Sequence, residues 1–210
     1  RRTLPAASDE SSRGPAPTPT PATSDDLAET VRQVEALGLG TKVISREVDV
    51  RDLPALESFA QETIDTFGRL DIVVANAGIC IARPWDQVTA DIWRDTIDIN
   101  LTGVWNTVQQ SAQHLIDGGG GAIVIISSSA GLKGLPFLSP YVASKHALVG
   151  LMRAYANELA EYRIRVNTIH PAGVDTPMGN GGGMVHVGDW IAAHPTLGGM
   201  LVNPLPTEIM

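Results

Sequence analysis

Apolar side chains recur every three or four positions in four stretches of the chain, the spacing that places them on one face of a helix. The predicted helices cover residues 24–37, 53–67, 90–112 and 141–159. Thr23 or Ser24 can cap the first helix, while Gly38 and Gly68 are typical of the position after a last helical turn. The pattern therefore predicts four amphipathic helices.

Four shorter runs of apolar or β-branched residues separate or follow these helices and predict strands. They are residues 42–50, 71–75, 122–126 and 165–169. The run Asp71–Ala75 is almost continuously apolar, as expected of a strand buried on both faces. Because helices and short buried strands alternate, the sequence predicts one α/β domain with a doubly wound parallel sheet.

The two ends of the chain differ from this pattern. Residues 1–23 are rich in Pro, Ser, Thr and Ala and are predicted to be disordered. Glycines and prolines accumulate from Gly179, so residues 179–210 are predicted to form a flexible flap or tail, and the core is expected at residues 24–178. The four glycines at 118–121 lack the Gly-Lys-Ser/Thr ending of a phosphate-binding loop and predict only a connection.

Composition and charge narrow the function classes. A chain of 210 residues with 43% hydrophobic residues fits one globular domain. Its net charge of −8, without a basic cluster, excludes nucleic acid and anionic membranes as partners, and no apolar run is long enough to span a bilayer. The single cysteine, Cys80, indicates a reducing cytoplasm, and the five histidines show no metal-ligand spacing, so we expect no metal site.

Tyr141 and Lys145 are the first candidates for chemistry. Four residues apart in a predicted helix, they share one face, so an ammonium stands beside a phenol whose ordinary pKa is about 10. A nearby positive charge lowers the pKa of a phenol, and we expect Tyr141 to exchange a proton near neutral pH. An ordinary amphipathic helix gives the same pattern, but the serines at 127–129, at the carboxyl end of a buried strand, favour a functional site.

Two asparagines also stand at positions suited to chemistry. Asn76 opens the tripeptide Asn76-Ala77-Gly78 directly after a buried strand, and such a small turn lets a flat ligand approach the backbone. Asn100 lies in the middle of a predicted helix, where asparagine is unfavourable unless its amide has a specific hydrogen bond. That amide could hold a water, distort the helix at a site, or make only a local hydrogen bond.

These motifs, in this order and spacing, resemble those of the classical short-chain dehydrogenases/reductases over about Asp25–Met178. The resemblance rests on Asp49-Val50, Asn76-Ala77-Gly78, Asn100, the Ser128/Tyr141/Lys145 set, and Asn167 through Met178. The stretches DLAETVRQVEALG, SSSAGLKG, YVASKHALVGLMR and HPAGVDTPM are similar to the mycofactocin-associated, carveol dehydrogenase-like subfamily. The resemblance implies a Rossmann-like fold and an oxidoreductase that moves a hydride between NAD(H) and a small, hydrophobic secondary alcohol or ketone.

The resemblance also implies a role for each matching residue of the reaction centre. Tyr141 would be the general acid/base for the substrate oxygen, and Lys145 would lower its pKa and bind the nicotinamide ribose. Ser128 would hydrogen-bond the substrate oxygen, with Ser127 and Ser129 as rivals. Asn100 would hold the water that links Lys145 to solvent.

The cofactor contacts implied by the family lie along the same sheet edge. Asp49-Val50 would border the adenine, Asn76-Ala77-Gly78 the adenosine ribose, and Val174 and Thr176 the nicotinamide carboxamide and a phosphate. The cofactor would be NAD, with NADP left open, and the other partner a small-molecule alcohol or ketone. Relatives pair their long helices into homodimers or homotetramers.

Part of the family pattern is missing from the printed sequence. The first strand, the Thr-Gly-x-x-x-Gly-x-Gly turn and the second strand do not precede Asp25, and the last strand does not follow Met178. Because that turn brings backbone amides to the pyrophosphate, we expect an incomplete sheet and weak NAD binding by this chain. Two alternatives stay open: a 3-oxoacyl-type reductase, and a truncated non-catalytic relative that acts as an interaction module or has no function.

Overall fold

The computed structural model describes residues 23–201 and contains a three-stranded, fully parallel sheet. Its strands, in spatial order, are β1 (Ile72–Ala75), β2 (Gly121–Ile126) and β3 (Ile164–Ile169). Val73 lies opposite Ile123, which in turn lies opposite Val166, so the apolar residues of all three strands are in register. The predicted α/β class with a parallel sheet is confirmed.

The first two helices begin and end within one residue of the bounds that the sequence signals. The helices of the described residues are α1 (Ser24–Ala36), α2 (Leu53–Phe67), α3 (Ala90–Ile97), α4 (Gly103–Asp117), α5 (Ser139–Glu158), α6 (Pro177–Asn180), α7 (Val187–Ala193) and α8 (Pro195–Gly198). Thr23 caps α1 by a reciprocal pair of hydrogen bonds with Asp26, and α2 ends at Gly68, whose φ of 82° suits glycine. None of the helices in this described range is both long and apolar enough to cross a bilayer.

The predicted long helix after Thr89 is one helical run with an irregular middle. α3 and α4 are joined by a π-helical segment at Asp98–Thr102, which holds Asn100. A π-helical turn inserts an extra residue into a helix and often marks a functional position. The irregularity therefore coincides with the residue that the sequence singles out in this helix.

One face of the sheet carries the main core, against α4 and α5. The buried members of this cluster are Val73, Ala75, Val104, Val108, Leu115, Ile123, Ile125, Leu148, Tyr155, Ile164 and Val166. On the opposite face, Ile72, Val74 and Ile169 are each more than half exposed among the described residues. The core thus fixes α5, the helix that carries Tyr141, against β3.

The predicted strand at 42–50 is wrong. This segment has no regular secondary structure and lies along α2, where Arg46 donates to Ser58 Oγ at 3.1 Å and forms an ion pair with Glu62. A strand forms only where a neighbour satisfies its backbone donors and acceptors. No strand of the part described lies beside 42–50 to do so.

The segment after Gly179, predicted as a flexible flap or tail, contains regular structure in the part that the structure describes. Helices α7 and α8 lie there, and Met184, Val187 and Trp190 pack against an apolar cluster around Cys80. Helices of one or two turns are too short to show a period, so the sequence pattern misses them. Residues 1–22 and 202–210, with the disorder and the tail predicted for them, lie outside the described residues.

Candidate active site

The carboxyl ends of the three parallel strands bring the predicted site segments to one edge of the sheet. Asn76-Ala77-Gly78 follows β1, the serines at 127–129 follow β2, and the segment 170–176 follows β3. The start of α5 packs against the 3₁₀ turn Ser129–Gly131 at that edge. Ligands of open parallel sheets bind at this edge, so the fold supports a site here.

Tyr141 and Lys145 lie one turn apart in the first half of α5, as predicted. Lys145 is only 3% exposed, and its Nζ donates to Ile126 O at 2.8 Å. The same Nζ lies 5.5 Å from the centre of the Tyr141 ring. The ammonium and the phenol are therefore neighbours in a largely buried site.

The acid–base balance of this pair differs from the sequence expectation. Burial raises the pKa of Tyr141; a hydrogen bond with Ser128 opposes the rise, and the nearby Cys80 thiol adds to it. Burial also lowers the pKa of Lys145 from 10.5 to about 8. The expected lowering of the Tyr141 pKa is wrong for this structure, because desolvation of the phenol outweighs the favourable contacts.

The three candidate serines have different partners. The hydrogen bond with Ser128 Oγ favours the phenolate form of Tyr141. Ser128 Oγ also bonds to the backbone, where it accepts from Ala130 N at 3.1 Å and donates to Pro171 O at 3.5 Å. Ser127 Oγ instead donates to Lys145 O at 3.0 Å. Ser129 begins the 3₁₀ turn and donates its backbone N–H to Pro171 O at 2.8 Å. Of the three, Ser128 is the one that the structure brings to the phenol.

Asn100 ties three parts of the site together. Its side chain is completely buried; Oδ1 accepts from Ile79 N at 2.7 Å, and Nδ2 donates to Ile79 O at 2.9 Å and to Ser144 Oγ at 3.2 Å. These hydrogen bonds join distant segments and are not the local bond considered for Asn100, whereas the helix distortion considered for it is present. The water-holding role stays a prediction. Ser144, inside the Tyr-x-x-x-Lys spacing, was missed because a serine at that position has no signal of its own.

Gly78 lies at the closest approach of the β1 turn to the pair on α5. A Cβ at Gly78 would stand 3.2 Å from Asn100 Oδ1 and 3.6 Å from Lys145 Nζ. The preceding Asn76 and Ala77 are exposed at the sheet edge. This glycine therefore leaves room beside Lys145 that a side chain would fill.

The other predicted cofactor contacts lie on separate segments, and all of them but the half-buried Val50 are exposed. Val50 packs against Gly103 at the start of α4, and its carbonyl accepts from Asn106 Nδ2 at 2.8 Å. Asp49 forms an ion pair with Arg51 whose hydrogen bonds lower the pKa of the Asp49 carboxyl. Val174 and Thr176 follow β3 on the segment that leads into α6, and both are exposed.

The segment after α6 closes one side of the site. Gly183 O accepts from Ala82 N at 2.9 Å, and Cys80 Sγ lies 3.9 Å from Met184 Sδ. Trp190 stacks at a tilt on Phe137, with ring centres 5.4 Å apart. The apolar cluster that contacts Tyr141 consists of Cys80, Ala82, Leu135, Phe137, Leu138, Val142, Met184, Val187 and Trp190. Sequence reasoning did not identify this wall, because its members come from three distant segments.

The donor set fits the nicotinamide end of a dinucleotide. A phenol, an ammonium and a serine hydroxyl converge there, and Gly78 keeps the adjacent space free of a side chain. Within residues 23–201 no strand is followed by a glycine-rich turn into a helix N-terminus, the usual pyrophosphate contact. Tyr141, Lys145 and the turn after β1 are therefore the residues that would hold NAD in this part of the chain.

The chain is similar in sequence to several known oxidoreductases. The chain is 54% identical over 163 residues to an uncharacterized oxidoreductase of Mycobacterium tuberculosis, matching 75% of this chain and 58% of that protein. It is 46% identical over 159 residues to the (-)-trans-carveol dehydrogenase of Rhodococcus erythropolis, covering 74% of this chain and 56% of the enzyme. Identity to the 3-oxoacyl-[acyl-carrier-protein] reductase FabG of Thermotoga maritima is 35% over 144 residues, covering 69% and 58%.

Solved structures show the same similarity. A short chain dehydrogenase from Mycobacterium paratuberculosis bound to NAD superposes with a TM-score of 0.84 at 47% identity, covering 91% of this chain and 70% of that one. The chain spans less than two thirds of the length of the sequence relatives. The short chain dehydrogenase family model matches residues 18–182. The chain belongs to the short-chain dehydrogenase family.

Proposed function

We propose that the protein is an NAD-dependent oxidoreductase that interconverts a small, hydrophobic secondary alcohol and its ketone. The observation that carries the proposal is the buried convergence of Ser128, Tyr141 and Lys145 at the carboxyl edge of the parallel sheet. The carveol dehydrogenase relative supports an alcohol of this class. NADP stays open as the alternative cofactor.

Bound NAD would supply the hydride acceptor, and the chain's own groups would handle the proton. Tyr141 Oη would take the proton from the alcohol during oxidation and return it during reduction. Ser128 Oγ would orient the substrate oxygen toward the phenol and favour its phenolate form. The Lys145 ammonium would bind the nicotinamide ribose. Asn100 would hold Ile79 and α5 in place through its hydrogen bonds, and we further propose that it binds a water.

The apolar wall supports a hydrophobic substrate. Cys80, Phe137 and Trp190 belong to the cluster against which Tyr141 packs, and they place apolar side chains beside the phenol. A 3-oxoacyl thioester is the second candidate, favoured by the 35% identity to the reductase of Thermotoga maritima. The third alternative, a non-catalytic relative, is disfavoured by the intact Ser128, Tyr141, Lys145 and Asn100 set.

Three further features belong to the proposal rather than to the established family membership. We place the protein with the mycofactocin-associated enzymes because the stretches YVASKHALVGLMR and HPAGVDTPM are similar to that subfamily. The resemblance also supports a homodimer or homotetramer. A cytoplasmic location stays a prediction from the single cysteine.

The substitution Tyr141→Phe tests the proposed function directly. Removal of the phenol oxygen should lower kcat by at least about 100-fold, the usual contribution of a positioned acid or base. NADH binding, followed by its fluorescence, should change little. Tyr155→Phe is the matched control, because Tyr155 lies on the same helix but its hydroxyl accepts from Gln109 Nε2 at 3.1 Å.

Two results would contradict the proposal. Turnover retained in Tyr141→Phe would remove the phenol from the reaction. Equal losses of turnover in Tyr141→Phe and Tyr155→Phe would show that α5 as a whole had been disturbed, and the assigned role would have no support.

A further inference from the structure

His170 makes two side-chain hydrogen bonds at the end of β3, and neither is required by the roles described above. Its Nδ1 lies 2.9 Å from Ser128 O, and its Nε2 lies 2.9 Å from Thr168 Oγ1. A backbone carbonyl can only accept, so Nδ1 carries the proton in this pair. With the neutral ring, Nε2 then accepts from the Thr168 hydroxyl, which fixes the ring's tautomer and orientation.

The Ser128 carbonyl is held from two sides. It accepts from Gly131 N at 2.8 Å in addition to the His170 ring, which uses both of its lone-pair directions. The flanking residues are tied to the chain after β3, because Ser127 N donates to Ile169 O and Ser129 N to Pro171 O. Of the two hydrogen bonds to the Ser128 carbonyl, the one from His170 therefore comes from a side chain and the one from Gly131 from the backbone.

The position of Ser128 matters because its hydroxyl acts on Tyr141. That hydroxyl favours the phenolate and opposes the effect of burial. A hydrogen bond weakens steeply when its geometry departs from the optimum, so a small rotation of the Ser128 peptide would reduce this effect. Loss of the His170 bond would remove one of the two contacts to the Ser128 carbonyl and leave the peptide held by Gly131 N and by the bond from Ser129 N to Pro171 O.

We propose that His170 is a positioning residue, which holds the Ser128 peptide so that the Ser128 hydroxyl faces the Tyr141 phenol. The inference rests on the proposed roles of Ser128 and Tyr141. It extends them to a residue that touches neither the phenol nor the expected reacting atoms. His170 acts through Ser128, so its effect should vanish when the Ser128 hydroxyl is absent.

The ionisation of Tyr141 provides a readout that needs neither cofactor nor substrate. The absorbance of tyrosinate is titrated in the purified chain and in its Tyr141→Phe counterpart, and the difference between the two curves isolates Tyr141 from the other two tyrosines. Because turnover is not measured, a failure of the proposed catalytic function and a failure of this inference are distinguishable.

The test compares His170→Phe, which keeps a ring but removes its donor, with His170→Asn, whose amide can still donate to Ser128 O. Ionisation of Tyr141 in His170→Phe should move to higher pH by about half a unit or more, as expected for a weakened bond to a charged group. Ser128→Ala should cause a shift in the same direction. His170→Asn should stay close to the parent.

The double variant His170→Phe/Ser128→Ala decides between positioning and general loosening. Its Tyr141 ionisation should match that of Ser128→Ala alone. An unshifted His170→Phe, an undiminished effect of His170→Phe in the Ser128→Ala background, or a His170→Asn shift as large as that of His170→Phe would each overturn the inference. If His170→Phe does not fold by circular dichroism, Thr168→Val replaces it, with the same expected direction and the same double variant.

Discussion

Lys145 is a buried cation whose charge is costly at neutral pH. Its side chain is 3% exposed, and among the described contacts its Nζ has one short partner, Ile126 O at 2.8 Å. Burial lowers its pKa to about 8. The site therefore holds an ammonium that can lose its proton within a unit or so of neutral pH.

This shift predicts a pH dependence of stability. Between about pH 8 and the ordinary pKa of 10.5, the unfolded chain keeps a proton on Lys145 that the folded protein has lost, so stability rises with pH. Burial raises the pKa of Cys80 from 9.0 to about 12, which has the opposite effect above pH 9. Between pH 8 and 9, the rise in unfolding free energy with pH is therefore due to Lys145, and Cys80 does not oppose it.

Denaturant unfolding of the parent and Lys145→Met from pH 7 to 9 measures the effect. The unfolding free energy of the parent, relative to the variant, should rise by about 1 kcal/mol between pH 8 and 9. Lys133→Met is the control for loss of a surface lysine and should show no such change relative to the parent. Parallel curves for the parent and Lys145→Met would contradict a lowered pKa.

The sequence predicted the residues of the site better than their protonation. The spacing of Tyr141 and Lys145, the serines after β2 and Asn100 all lie where the pattern placed them. The direction of the Tyr141 pKa was missed because it depends on how much of the phenol is buried. Tyr141 packs against an apolar cluster whose members Cys80 and Ala82 lie about sixty residues earlier in the sequence, so the sequence pattern does not show its burial.

At the scale of elements, the segment after α6 depends on one close backbone approach. Gly183 is buried, and a Cβ there would stand 2.2 Å from Cys80 O. Because the Cβ would meet a backbone atom, no flexible side chain can move away to relieve the contact. The docking of this segment over the apolar wall therefore requires glycine at this position.

Gly183→Ala should undock the segment, because the two backbones must separate. We expect a loss of about 1–3 kcal/mol in unfolding free energy, typical of an overpacked contact, and faster proteolysis within residues 177–201. Gly188→Ala is the matched control, since a Cβ at Gly188 meets nothing within 4 Å. Equal proteolysis of the parent and Gly183→Ala would show that the segment does not rely on this contact.

The elements also show where sequence patterns stop being informative. The helix around Asn100 was predicted as regular, whereas it contains a π-helical segment at the residue that makes a tertiary contact, the pair of hydrogen bonds between Asn100 and Ile79. The predicted strand at 42–50 did not form despite its β-branched residues, because β propensity acts only through a paired neighbour. Both failures concern contacts between distant segments.

At the scale of the whole molecule, the parallel sheet collects the chemistry at one edge. Three segments separated by tens of residues meet there because all three strands run in the same direction. The order of helices and strands was enough to predict this arrangement. The composition of the apolar wall, on which our proposal of a hydrophobic substrate rests, became visible only once the segments after β1 and α6 were placed together.

The reaction itself is the most direct test of the proposed function. Purified protein is incubated with a series of small hydrophobic secondary alcohols and with NAD in large excess, because we expect weak NAD binding by this chain, and the formation of NADH is followed by absorbance. A parallel assay offers NADH with a 3-oxoacyl thioester. We expect NADH formation with the alcohols, little oxidation with the thioester, and loss of turnover in Tyr141→Phe. Bound NADH without turnover of any alcohol would contradict the proposed function, and turnover of the thioester alone would assign the site to the 3-oxoacyl class.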